Sequence, residues 1–127
     1  MKQIILLIPF LFSACSASED LSAINYSEAY SLADKQWQSN NSNKQYTEYF
    51  NVWTGFNNQN KIDEKAGCYR YGNQLVKLVL IQNNEGVIER VVTSSNDKKT
   101  ECFVKSYTGV KFPTPPISPF FHRMTMN

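Results

Sequence analysis

Histidine and cysteine are nearly missing from this chain: one His, His122, and three Cys, at positions 15, 68 and 102, in 127 residues. Zinc takes four ligands, commonly with paired cysteines a few residues apart, and no C-x-x-C occurs, so a metal centre is excluded. Long apolar runs are also absent. The stretch from Ile4 to Phe12 has nine residues, and a spanning helix needs about 20. Nor is there an excess of one charge, since 13 Lys and Arg face 11 Asp and Glu; this leaves no basic footprint for nucleic acid. Catalytic signatures are missing too. There is no Gly-x-Ser-x-Gly and no phosphate loop. Glu28, Asp34, Asp63, Glu64 and Glu101 have no spacing that fixes a carboxylate pair. His122, beside Phe and Met, reads as a packing residue rather than a general base. The expectation is a non-enzymatic protein without cofactor or metal.

What is present begins with an export signal. Residues 1–14, MKQIILLIPFLFSA, carry a charge at Lys2, then the apolar run, then the small residues Ser13 and Ala14, the order of a secretory leader. Phe12-Ser13-Ala14-Cys15 resembles a bacterial lipobox, with Phe12 where that family usually has Leu. The resemblance implies that Cys15 receives diacylglycerol and becomes the mature N-terminus. With Ser16 rather than Asp next, it also implies sorting to the outer membrane, facing the periplasm. Acyl chains contribute about 0.8 kcal/mol per buried CH₂, so such an anchor holds without a spanning helix. Residues 15–22 would be a short lipidated tether. Ordinary cleavage after Ser16 or Ala17 is the alternative, and it would leave a soluble periplasmic domain.

Either outcome removes Cys15 from the thiol count. Cys68 and Cys102 remain, an even pair in an oxidising compartment, and a disulfide between them is expected. A bridge closing a loop of that length contributes about 4 kcal/mol by chain entropy. Residues 23–127 suffice for one domain with one modest core.

Along that domain, residues 23–67 read as helical. Tyr26, Tyr30, Ala33 and Trp37 recur on one helical face, and the polar cluster Ser39 to Asn43 ends the pattern. Tyr46, Tyr49, Phe50 and Trp53 mark a second helix, expected to stop near Thr54-Gly55. Asn57 to Asn60 reads as a break, followed by a helical turn or two delivering Cys68. Leu75 to Ile81 and Val87 to Thr93 form a hairpin in which Gly86 takes a positive φ. The first strand is the more buried, and alternation in the second does not choose a core side. Ser94 to Asp97 offers N-caps for a helix over Lys98 to Tyr107 that carries Cys102 inward. The prolines from Pro113 to Pro119 make a stiff crossover. Phe120 to Met126 resumes strand character, with Phe120, His122, Met124 and Met126 on one side.

The order Cys68, strand, Gly86 turn, strand, helix with Cys102, Phe112-Pro113-x-Pro115, last strand resembles the C-terminal domain of the TonB family and its cysteine-bearing relatives. That resemblance, over residues 68–127, implies an α+β fold with a small sheet backed by helices. It also implies strand pairing with a protein partner. The chain has neither the spanning anchor nor the long proline-rich linker of TonB energy transducers, so only the binding mode carries over. An open sheet edge accepts a partner's strand through backbone hydrogen bonds. The last strand is the candidate edge, with Phe120, Phe121, His122, Arg123 and Met124 as candidate binding residues. The expected partner is an envelope protein. A second reading, glycan or peptidoglycan binding, would use Trp37, Trp53 or the tyrosines as stacking platforms; helical spacing favours a core role for them.

Overall fold

The computed structural model describes residues 21–127, which form an α+β fold. Helix α1 spans Tyr26–Asn40 and α2 Lys44–Asn60, followed by the single turn α3, Ile62–Lys65, and a 3₁₀ turn at Cys68–Tyr71. Then come β1 (Val76–Gln82), β2 (Ile88–Thr93), α4 (Lys98–Tyr107) and β3 (Phe120–Met126). Asparagine and aspartate start the helices: Asn25, Asn43 and Asp97 accept the backbone N–H of Glu28, Tyr46 and Thr100 at 2.9, 3.3 and 2.9 Å. Each such cap is worth about 1 kcal/mol. Asn43 belongs to the polar cluster that separates the first two helices, so the same residues end one helix and begin the next. The leader, Cys15 and most of the expected tether lie outside the described residues.

The three strands are antiparallel in the order β2-β1-β3. β1 lies in the middle, and every residue but Lys77 is buried, as its run of Val, Leu and Ile requires. Gly86 turns the hairpin at φ 89°. Arg90 pairs with Ile81 while Ile88 pairs with Gln82, so Glu89 is an extra residue in β2. This bulge explains why the alternation of β2 chose no side. Ile88 and Val91 enter the same core although they are three apart, and Val92 enters the other.

The helical half covers both faces of the sheet. On one, α1 lays Ala29 and Ala33 against Val79, Ile81, Val92 and Phe121. The expected face of α1 was different. Tyr30 and Trp37 are 45% and 38% exposed, while Ala29 and Ala33 are fully buried. Small side chains let the helix approach the sheet closely, and the bulky rings move to the flanks.

On the other face α2 and α4 build the larger core. Tyr46, Tyr49 and Trp53 of α2 pack with Phe103, Tyr107, Phe112 and Phe120, as the aromatic spacing predicts. α2 does not stop at Gly55, however; it continues to Asn60. Tertiary contacts override its weak propensity: buried Asn57 accepts the Tyr107 hydroxyl at 2.9 Å, and Lys61 ends the helix at φ 51° by donating to the Asn57 carbonyl. Cys68 and Cys102 are bridged with Cα atoms 5.4 Å apart, tying the 3₁₀ turn to α4.

Candidate functional site

β3 stands at one edge of the sheet, paired with β1 from Val76↔Met126 to Gln82↔Phe120. At its start the Phe121 N–H donates to Gln36 Oε1 at 3.0 Å, so that N–H points away from β1. Alternation in an antiparallel strand then turns the N–H and C=O of Arg123 and Thr125 outward as well. Gln36 Nε2 donates to the Pro119 carbonyl at 2.8 Å. One side-chain carboxamide of α1 thus takes a carbonyl and an N–H of the edge, as a neighbouring strand's peptide would. This plug ends at Phe121. Beyond it the backbone at Arg123 and Thr125 borders a groove lined by Tyr26, Ser27, Tyr30, Lys77, Arg123, Met124 and Thr125.

The side chains expected to bind are mostly enclosed. Phe120, Phe121 and His122 are 0%, 7% and 8% exposed. Phe120 packs on Tyr46, Tyr49 and Phe50, and Phe121 fills the core under α1. Met124 leans on the larger core. Arg123 is half-buried on the groove side, 3.6 Å from Asp34 and with its guanidinium 4.9 Å from the Tyr30 ring centre. β3 therefore presents backbone to the outside, and Arg123 and Thr125 carry that surface. Gln36, Lys77 and Thr125 were not foreseen as site residues; no pattern in the sequence marks a side chain that imitates a strand.

His122 lies against Trp53, with ring centres 4.2 Å apart, and against Phe50 at 5.3 Å. Its Nδ1 is buried without a hydrogen-bond partner. Removal from water lowers its pKa to about 4, so the ring is neutral at physiological pH. The surrounding groups are aromatic, and among the described residues no carboxylate forms an ion pair with it. Among the described residues no cluster of His, Cys, Asp and Glu has the arrangement of a metal site.

The aromatic residues offered as a glycan platform divide in two. Trp53 is 2% exposed and stacks on Phe112 at 4.4 Å with 9° between planes, so it has no face to offer a sugar. Tyr46, Tyr49 and Tyr107 are buried with it. Burial raises the pKa of Tyr49 and Tyr107, and Gln82 Nε2 donates to the Tyr49 hydroxyl at 3.0 Å inside the core. Trp37, Tyr30, Tyr69 and Tyr71 reach the surface at separate places: Trp37 meets Phe50 edge-on at 5.5 Å, Tyr30 sits beneath Arg123, and Tyr69 donates to Asp63 at 2.8 Å. Burial and that carboxylate push the Tyr69 phenol up to about 12.

No family model, curated protein or solved structure matches this chain. The site is therefore argued from its own geometry.

Proposed function

We propose that this protein is a non-catalytic interaction module of the cell envelope, lipid-anchored at Cys15 to the outer membrane and facing the periplasm, which holds a protein partner by strand addition along β3. One observation carries the reading: the outward backbone of Arg123 and Thr125 lies beyond the Gln36 plug, beside an open groove. Unpaired edge groups of this kind are templates for a further strand, and natural proteins usually blunt or cover them. The Lys77 and Arg123 cations and the Tyr26 and Tyr30 rings along the groove would select the partner's side chains. The order of elements from Cys68 onward, which resembles TonB C-terminal domains, supports the same mode.

Truncating residues 120–127 is a poor test, because Phe120 and His122 belong to the core. Thr125→Pro is cleaner: it deletes one outward N–H and spares the ladder to β1, the situation in which edge proline is tolerated. A photo-cross-linking residue at Lys77, which pairs with Thr125, should capture one envelope protein in native membranes. The Thr125→Pro variant should lose that product while keeping its melting temperature. Persistence of the product in the variant, or no product at all, would refute strand addition here.

A further inference from the structure

A second groove lies on the far side of the sheet from α1, between the 3₁₀ turn and α4. It is lined by Arg70 and Tyr71 on one side and by Lys98, Glu101, Lys105 and Ser106 on the other, with Cys102 and Ala66 in its floor. Lys98 and Lys105 are seven positions apart in α4, nearly two turns, so they share a face about 10 Å apart along the axis.

The arginine of this groove differs from the other two in the molecule. Of the three arginines, Arg90 donates to the Leu21 carbonyl and Arg123 pairs with Asp34. Arg70 instead donates to the Tyr71 hydroxyl at 2.7 Å, with its guanidinium 4.8 Å from the centre of the same ring. Buried Lys99 donates to the Gln74 carbonyl at 2.8 Å, whereas Lys98 and Lys105 are exposed and enter no ion pair among the described residues. Arg70 is thus held in place by a phenol while its carboxylate-shaped fork stays unmatched. The positive field is felt locally: the Arg70 hydrogen bond, then the charges of Arg70, Lys98 and Lys105, lower the pKa of exposed Tyr71 below the usual phenol value. Glu101 is the one acidic residue lining the groove, and it offsets part of that field.

We infer that the groove between Arg70 and the Lys98–Lys105 face of α4 binds an acidic, extended peptide segment of a protein partner. Carboxylates at every third residue of an extended polyproline II segment recur on one face about 9 Å apart, close to the interval the two lysines set. A membrane surface fits less well, because Leu21, the first described residue, is held by Arg90 on the α1 side of the sheet. A chain anchored through its N-terminus would therefore turn this groove away from the bilayer. The inference rests on the reading of the protein as a holder of protein partners, but it uses a different surface from β3.

The probe is a synthetic peptide with glutamate at every third position, titrated against the purified protein at low and at physiological salt. Binding should be salt-sensitive and weaken about fivefold with Arg70→Gln, and by more with the Lys98→Gln/Lys105→Gln pair, the range of exposed charge contacts. Glu101→Gln should tighten it. These side chains are exposed, so the variants should keep their melting temperature, and Thr125→Pro should leave this binding unchanged. Equal affinity across the variants would overturn the inference. So would tighter binding to phosphatidylglycerol vesicles or to inorganic phosphate than to the peptide. In either case, loss of the Lys77 cross-link in Thr125→Pro would stand on its own.

Discussion

The two edges of the sheet are finished in different ways. At the hairpin turn and the first residue of β2 the chain closes its own edge: Ile88 exchanges backbone hydrogen bonds with Gly109 and Val110, the Phe112 N–H donates to the Gly86 carbonyl at 3.0 Å, and Val87 bridges to Lys111. Along β3 the only hydrogen-bonding cover among the described residues is one carboxamide, Gln36, at the start of the strand. The self-closed stretch from Gly86 to Ile88 satisfies its donors and acceptors within the fold; from Glu89 onward β2 has no backbone partner on its outer side among the described residues. A half-plugged edge leaves pairing groups to water and spares only a few residues for a partner. Under the proposed reading, the open stretch of β3 at Arg123 and Thr125 is where a partner strand would pair.

Breaking the β2 closure should have the largest effect. A Cβ added at Gly86 would lie 2.1 Å from the Phe112 carbonyl, at a φ of 89° that other residues rarely adopt. Gly86→Ala should therefore cost about 3 to 4 kcal/mol, from backbone strain and lost bridge bonds together; denaturant titration measures it. Stability within about 0.5 kcal/mol of the parent would mean that the 109–112 segment does not hold that edge.

Next comes the acid response of β3. His122 stays neutral in the folded protein down to about pH 4, while its unfolded form takes up a proton near 6.5. Its stabilising effect is therefore complete above pH 6.5 and lost progressively as pH falls from there to about 4, a change of about 3 kcal/mol. His122→Phe should flatten unfolding free energy across that window. An unchanged slope would show that His122 is solvated in the folded state.

Smaller effects should follow at the plug itself. Gln36→Ala should cost about 1 kcal/mol and lengthen the accessible edge, so the Lys77 cross-link should increase. Fewer cross-links would mean that Gln36 helps to bind the partner rather than excluding it. Thr125→Pro should change stability least, by under about 1 kcal/mol, because its N–H faces outward.

The sequence made some of this legible for physical reasons. β1, the Gly86 turn, α4 and β3 stood out because apolar runs, turn residues and caps act locally, and Cys68–Cys102 followed from compartment and count. The seam of α1 was read only in part: Ala33 lay on the expected face, but Ala29 carries little hydrophobic signal beside Tyr30 and Trp37, which stay at the surface. The end of α2 was missed because the bond that holds Asn57 in place comes from Tyr107, fifty residues away. The edge closures were illegible for a deeper reason. Backbone hydrogen bonds at 109–112 leave no side-chain pattern, and Gln36 acts through a chain segment 83 positions distant.

Residue-resolved amide hydrogen exchange, on the protein alone and on the complex trapped through Lys77, tests the account most directly. The protein alone should exchange Arg123 and Thr125 quickly, with Ile88, Phe112, His122 and Met124 slow, and the complex should slow Arg123 and Thr125 as well. Slow exchange at Arg123 and Thr125 in the protein alone, or no slowing in the complex, would contradict an open edge that receives a partner strand.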